Sequence, residues 1–102
     1  MKKILVAYGY GSTWSTTFCV KKEDRIKLIL DEDIIDLLNN NENSDKIKSV
    51  FKQKYPQYAD RIYLFDFEDL TVENIPDDIK FNIIHPDDDG GEVLITSNDL
   101  IY

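Results

Sequence analysis

Phe81-Asn82-Ile83-Ile84-His85-Pro86-Asp87-Asp88-Asp89-Gly90-Gly91-Glu92-Val93-Leu94-Ile95-Thr96 reads as two short β runs around a turn. Phe81, Ile83 and His85 alternate with Asn82 and Ile84, and Glu92 to Thr96 alternates again, the period of a strand with one covered face. Pro86 to Gly91 has the composition of a turn, so the two runs are predicted to fold back on each other as an antiparallel hairpin.

Upstream the same texture continues. Leu70 to Ile75 alternates, Pro76-Asp77-Asp78 is a turn, and Arg61 to Phe65 is rich in strand formers. Lys3 to Tyr8 is apolar on both faces, with Ile4, Val6 and Tyr8 on one and Leu5 and Ala7 on the other, which predicts a central strand. Between these lie two helices. Asp31 or Asp33 caps one that carries Ile34, Ile35, Leu37 and Leu38, ended by the polar run Asn39 to Asn43. Ser44 or Asp45 caps the next, whose Ile47, Val50, Phe51 and Tyr55 share one face, and Pro56 stops it. Phe18 to Leu30 fits a short strand or a helical turn or two. Ser97-Asn98-Asp99 offers a cap for a final short turn. The fold class that follows is α+β: residues 1–102 as a single domain, mainly an antiparallel sheet of four to five strands with two helices on one face.

With 102 residues the chain can bury one modest core, and 42% apolar and 12% aromatic residues exclude a disordered composition. No apolar run approaches the roughly 18 to 20 residues that cross a bilayer, and Ile4 to Ala7 is too short for a signal-peptide core. Cys19 is the single cysteine, which excludes an internal disulfide and fits a reducing cytoplasm. The net charge of −8 is unevenly spread: residues 1–59 hold ten basic and eight acidic side chains, residues 60–102 two and twelve. Such a chain steers partners of opposite sign to different segments.

The other informative stretch is Tyr8-Gly9-Tyr10-Gly11-Ser12-Thr13-Trp14-Ser15-Thr16-Thr17. Glycines allow close backbone approach, and hydroxyls, free amides and aromatic planes are what a binding loop needs. It is neither the phosphate loop of nucleoside-triphosphate enzymes, having no lysine after its glycines, nor a dinucleotide fingerprint, since Trp14 stands where a third glycine belongs. The candidate ligand-binding residues are Tyr8, Gly9, Tyr10, Gly11, Ser12, Trp14, Ser15 and Thr16; the alternative is a rigid structural loop with Trp14 filling the core. The candidate partner-binding residues are Asp77, Asp78, Asp87, Asp88, Asp89 and Glu92. Set against a calcium loop, the turn around Gly90 puts His85 at the first ligand position and Thr96 at the last, where acidic ligands are required, so no metal is expected. His85 has no partners for a triad and Cys19 no evident base, so no catalytic residues, no cofactor and no enzyme activity are predicted. At −8, direct nucleic-acid binding is not expected.

The run Val6 to Thr16 resembles the Tyr-Gly-x-Gly-x-Trp-Ser-Thr opening of small proteins encoded by tailed bacteriophages. Lys54-Tyr55-Pro56, Val72-Glu73-Asn74-Ile75-Pro76, Phe81-Asn82-Ile83 and Asp89-Gly90-Gly91-Glu92 are similar to later segments of that family, in the same order. The resemblance implies origin and general shape, in the cytoplasm of an infected bacterium. Small acidic phage proteins that are not enzymes often counter host defence. Two expectations follow. Either the loop sequesters a small nucleotide-type ligand, or the acidic C-terminal segment binds a basic host defence protein such as a nuclease, as a nucleic-acid mimic would. A homo-oligomer is compatible with both.

Overall fold

Strand β1 (Lys2–Ala7) buries Ile4, Leu5, Val6 and Ala7 completely, so both of its faces need cover. A computed structural model describes residues 1–17, 20–62, 67, 69–86 and 90–97 and shows what supplies that cover. β1 pairs antiparallel with β2 (Leu70–Ile75), Lys2 opposite Ile75 and Ala7 opposite Leu70. Leu5 and Ala7 face helices α2 (Glu32–Asn39) and α3 (Ser44–Lys54), in a core cluster with Ile34, Ile35, Ile47, Phe51 and Trp14. Ile4 and Val6 face the opposite way. They meet Ile29, Ile75, Phe81 and Ile83, which brings the C-terminal hairpin of β3 (Phe81–Ile84) and β4 (Val93–Thr96) onto that side.

The sheet therefore differs from the single one of four to five strands that alternation predicts. Among the described residues the strands form two two-stranded antiparallel ladders, β1 with β2 and β3 with β4. The physical reason is the two-sided apolarity of β1. Strand pairing satisfies only its edges, whereas Ile4 and Val6 need an apolar partner surface, and the inward face of β3 provides one. One short backbone bond, Glu92 N–H to Ala7 C=O at 2.6 Å, ties the hairpin to the end of β1. The expected hairpin and the α+β class hold. Most of the predicted strand from Arg61 to Phe65, the turn residues Asp87 to Asp89 and the closing turn after Ser97 lie outside the described residues.

Both expected helices are present, and the ambiguous stretch before them becomes a third, α1 (Lys22–Ile29), with Glu23 and Asp24 in its first turn and Lys27 in its last. Its Leu28 enters the Trp14 cluster and its Ile29 the hairpin cluster. Asp31, not Asp33, caps α2, its carboxylate accepting from Ile34 N–H at 3.0 Å. The asparagine run ends α2 by a left-handed cap: Asn41 adopts φ 54°, Asn41 N–H reaches Leu38 C=O, and Glu42 N–H reaches Leu37 C=O. Asn43 then caps α3 through Lys46 N–H, where Ser44 or Asp45 was expected. The cap sits three residues before the amide it serves, and Asn43 occupies that place.

α3 is pinned to α2 at the far end. Lys54 Nζ lies 2.8 Å from Asp31 Oδ2 and 2.9 Å from Asp33 Oδ2, and the Tyr55 hydroxyl donates to Asp31 Oδ2 at 2.5 Å. Burial alone would raise the Asp31 pKa; bonds from Lys54, Tyr55 and Ile34 N–H outweigh it and hold the carboxyl below its ordinary value of 3.8. A depressed carboxyl contributes stability that is present above its unfolded pKa and is lost as pH falls through the folded one. Replacing Asp31 by Asn is expected to destabilise the fold by about 2 kcal/mol at neutral pH, through lost charge-assisted bonds. It should also flatten the acid limb of stability below pH 3.8. Urea unfolding at a series of pH values measures both.

Candidate functional site

The loop after β1 divides into a buried body and an exposed tip. Trp14 is fully buried, its ring centroid 5.3 Å from Phe51 and 6.2 Å from Phe67, and its indole N–H donates to Leu28 C=O at 2.7 Å. Ser12 and Ser15 are buried as well, Ser12 Oγ donating to Asp69 Oδ2 at 2.8 Å. Thr13 and Thr17 share a hydroxyl bond of 2.7 Å. The tip is a tight turn closed by Ser12 N–H to Gly9 C=O, with Gly11 at φ 71°, a conformation that favours glycine at the third turn position. Tyr10, ahead of it, is 81% exposed and Tyr8 44%.

What organises the loop is Glu92. Expected among the exposed acids, it is instead 2% exposed, because four donors converge on its carboxylate. Ala7 N–H bonds Oε1 at 2.9 Å, and Trp14 N–H, Thr16 N–H and the Thr16 hydroxyl bond Oε2 at 2.9, 3.0 and 2.7 Å. A carboxylate can leave water only where its lone pairs are so satisfied, and backbone amides in a tight loop are equally costly to bury unpaired. Each supplies the other's need. Gly91 belongs to the same joint: a Cβ there would come within 2.2 Å of the Tyr8 carbonyl oxygen. The sequence offered one signal for this, a loop rich in buried donors that requires an acceptor; which of twenty acids supplies it was not readable.

Of the candidate partner-binding acids, Glu92 is the one brought to the glycine loop among the described residues. The hairpin carrying the acidic turn docks, through Gly91 and Glu92, directly against the glycine loop. Asp69 stands between them, its backbone carbonyl accepting from Tyr8 N–H at 3.1 Å. The Tyr8 phenol is pushed up to about 12, by partial burial first and then by the carboxylates of Glu73 and Glu92. Among the described residues no lysine or arginine pairs with Asp69 or Glu73. Both belong to the acidic segment 60–102 proposed for a basic partner, but neither is among its candidate partner-binding residues. Of the other predicted acids, Asp77 and Asp78 lie exposed at the β2–β3 turn, where Asp77 pairs with the N-terminal amine at 3.3 Å. Asp87, Asp88 and Asp89 are outside the described residues. His85 ring nitrogen Nε2 lies 2.7 Å from the Gly90 carbonyl oxygen, a contact within the hairpin.

Elsewhere two open grooves, of about 660 and 430 Å³, meet at Leu30 and Glu32. The first is floored by Ile26, Leu30 and Tyr55 and rimmed by the Asp31–Lys54–Asp33 cluster. The second mixes Glu32, Asp36 and Asp77 with Lys2 and Lys3. Neither is lined by a loop residue, and in both the carboxylates stand among lysines. No group of three or more metal-ligating side chains occurs among the described residues, and none of their helices is long and apolar enough to cross a membrane. Compared with protein-family models, with curated proteins and with solved structures, the chain matches none.

Removing the shared acceptor isolates its contribution. Glu92→Ala is expected to destabilise the protein by about 3 to 5 kcal/mol, leaving four donors without a partner. Asp77→Ala, which breaks only an exposed ion pair, should change stability by less than about 0.5 kcal/mol. Equilibrium urea unfolding of the two variants tests the contrast.

Proposed function

We propose that the chain is a non-enzymatic binding protein that receives a basic macromolecular partner on the end of the molecule where the glycine loop and the C-terminal hairpin meet. One observation carries this reading: the Glu92 joint fixes the loop that exposes Tyr8 and Tyr10, and the same loop is fastened through Tyr8 N–H and Ser12 Oγ to Asp69, a carboxylate with which no described cation pairs. Residues 8–12, 69 and 91–92 are remote in sequence and adjoin. An exposed aromatic and acidic loop outside both grooves suits a partner's surface better than a small molecule.

Nucleotide sequestration by the same loop is less well supported. Its phosphates would need amide donors, and those of Ala7, Trp14 and Thr16 are taken by Glu92. The plane of Trp14, which would stack on a base, lies in the core. Lys2 and Lys3 sit at the far end of β1, roughly 17 to 20 Å from the tip at the usual rise of a strand. The resemblance to small phage proteins supplies the setting we propose, counter-defence, with a nuclease or other nucleic-acid-binding effector as the basic partner.

Labelled poly-L-lysine of defined length is a direct probe of the charge reading. Fluorescence anisotropy should give an affinity that falls about tenfold between 50 and 200 mM salt, as screening of exposed charges requires. Asp69→Lys with Glu73→Lys should weaken it at least about fivefold, and Glu32→Lys with Asp36→Lys should weaken it less. Equal sensitivity of the two pairs, or a saturable thermal shift with a nucleotide, removes the proposal.

A further inference from the structure

We propose that β4 is the seam of a two-fold homodimer, its outer edge pairing antiparallel with the same edge of a second copy of this chain. The parity of the hairpin defines that edge. Ser97 N–H donates to Lys80 C=O at 3.0 Å in step with the register, so Val93 and Ile95 turn their backbone groups toward β3, while Leu94 and Thr96 turn theirs away. Glu92 follows the same parity, and its outward N–H is taken by Ala7 C=O. Past that bond, among the described residues, β4 pairs with β3 alone, and none of its residues is buried.

Charge and symmetry select a second copy as the occupant. Native sheet edges are guarded by lysines, prolines or bulges, yet Val93-Leu94-Ile95-Thr96-Ser97 holds neither a charge nor a proline. At a net −8 two copies repel over most of their surface, and this edge sets no like charges face to face. Pairing Leu94 of one copy with Thr96 of the other, and the reverse, satisfies the outward amides and carbonyls of both residues. Ile95 then stands opposite its own counterpart across the two-fold. Ile95 is 37% exposed, on the solvent side of the hairpin with Val93 at 42% and Ile84 across from it, and an aliphatic cross-strand pair covers it. The assembly closes at two copies. Glu92, its N–H already bonded, ends the new ladder, and on the far edge of the hairpin Asn82 Oδ1 takes the Ile83 N–H at 2.9 Å, withholding that donor from a further strand.

So short a ladder makes a small interface, and sedimentation equilibrium should find a dimer that dissociates at about 10 μM to 1 mM. Raising salt from about 50 to about 500 mM should tighten it at least about threefold, because screening weakens the repulsion between copies. That sign is opposite to the one expected for a basic partner. Ile95→Lys, which sets two ammonium groups against each other at the two-fold, should weaken the dimer at least about tenfold. Amide hydrogen exchange locates the seam in the unmodified protein. Between dilute and concentrated samples the Leu94 and Thr96 amides should slow at least about fivefold, while those of Val93 and Ile95, already bonded to β3, should not change. A monomer at about 1 mM overturns the proposal. So does a dimer that survives Ile95→Lys, or one whose Leu94 and Thr96 amides exchange as they do in dilute protein. Each of these results leaves the basic-partner reading standing, since that rests on the glycine loop and Asp69.

Discussion

A loop of backbone amides folded into a protein interior must find acceptors, and here one carboxylate meets most of that need. The four bonds converging on Glu92 set the path of residues 7–16, put Trp14 in the core and hold the β3–β4 hairpin against β1. The aromatic cluster of Trp14, Phe51, Phe67 and Tyr55 is arranged around a ring that this loop delivers. Phe67 pays for its place there with a left-handed backbone, φ 59°, of the kind that costs roughly 1 to 2 kcal/mol outside glycine. Burial between Trp14 and Phe51 offsets that strain.

The same joint changes how the charge distribution is understood. A basic N-terminal segment and an acidic C-terminal one suggest two competing surfaces, yet the fold brings Glu92 and Asp69 of the acidic segment against the glycine loop. Lys2 and Lys3 are carried to the other end of β1, toward the mixed groove with Glu32, Asp36 and Asp77. At the loop end the exposed rings of Tyr8 and Tyr10 accompany Asp69, with which no described cation pairs.

Local features were legible in the sequence and non-local ones were not. The helix at Glu32–Asn39 and the hairpin at Phe81–Thr96 follow from period, cap and turn chemistry within a dozen or so residues. Trp14 was legible only as one of two readings, a ligand-stacking plane or a core filler, and the structure buries it. Asn43 was overlooked as a cap because it closes a run of asparagines whose evident role is to stop the preceding helix. Glu92 could not be read at all: at the end of an acidic turn it looks solvated, and the donors that bury it lie at the other end of the chain. Asp69 was not singled out for the same reason, since only the register of β2 on β1 brings it beside Tyr8.

That separation bears on how the molecule assembles. Glu92 meets its donors at sequence separations of 76 to 85, so the loop closes over a long stretch of chain. Contacts of such span are entropically late, while α2 and α3 are local and can form early. During synthesis the glycine loop therefore emerges well before the carboxylate that fixes its shape, which waits until the hairpin strands have left the ribosome.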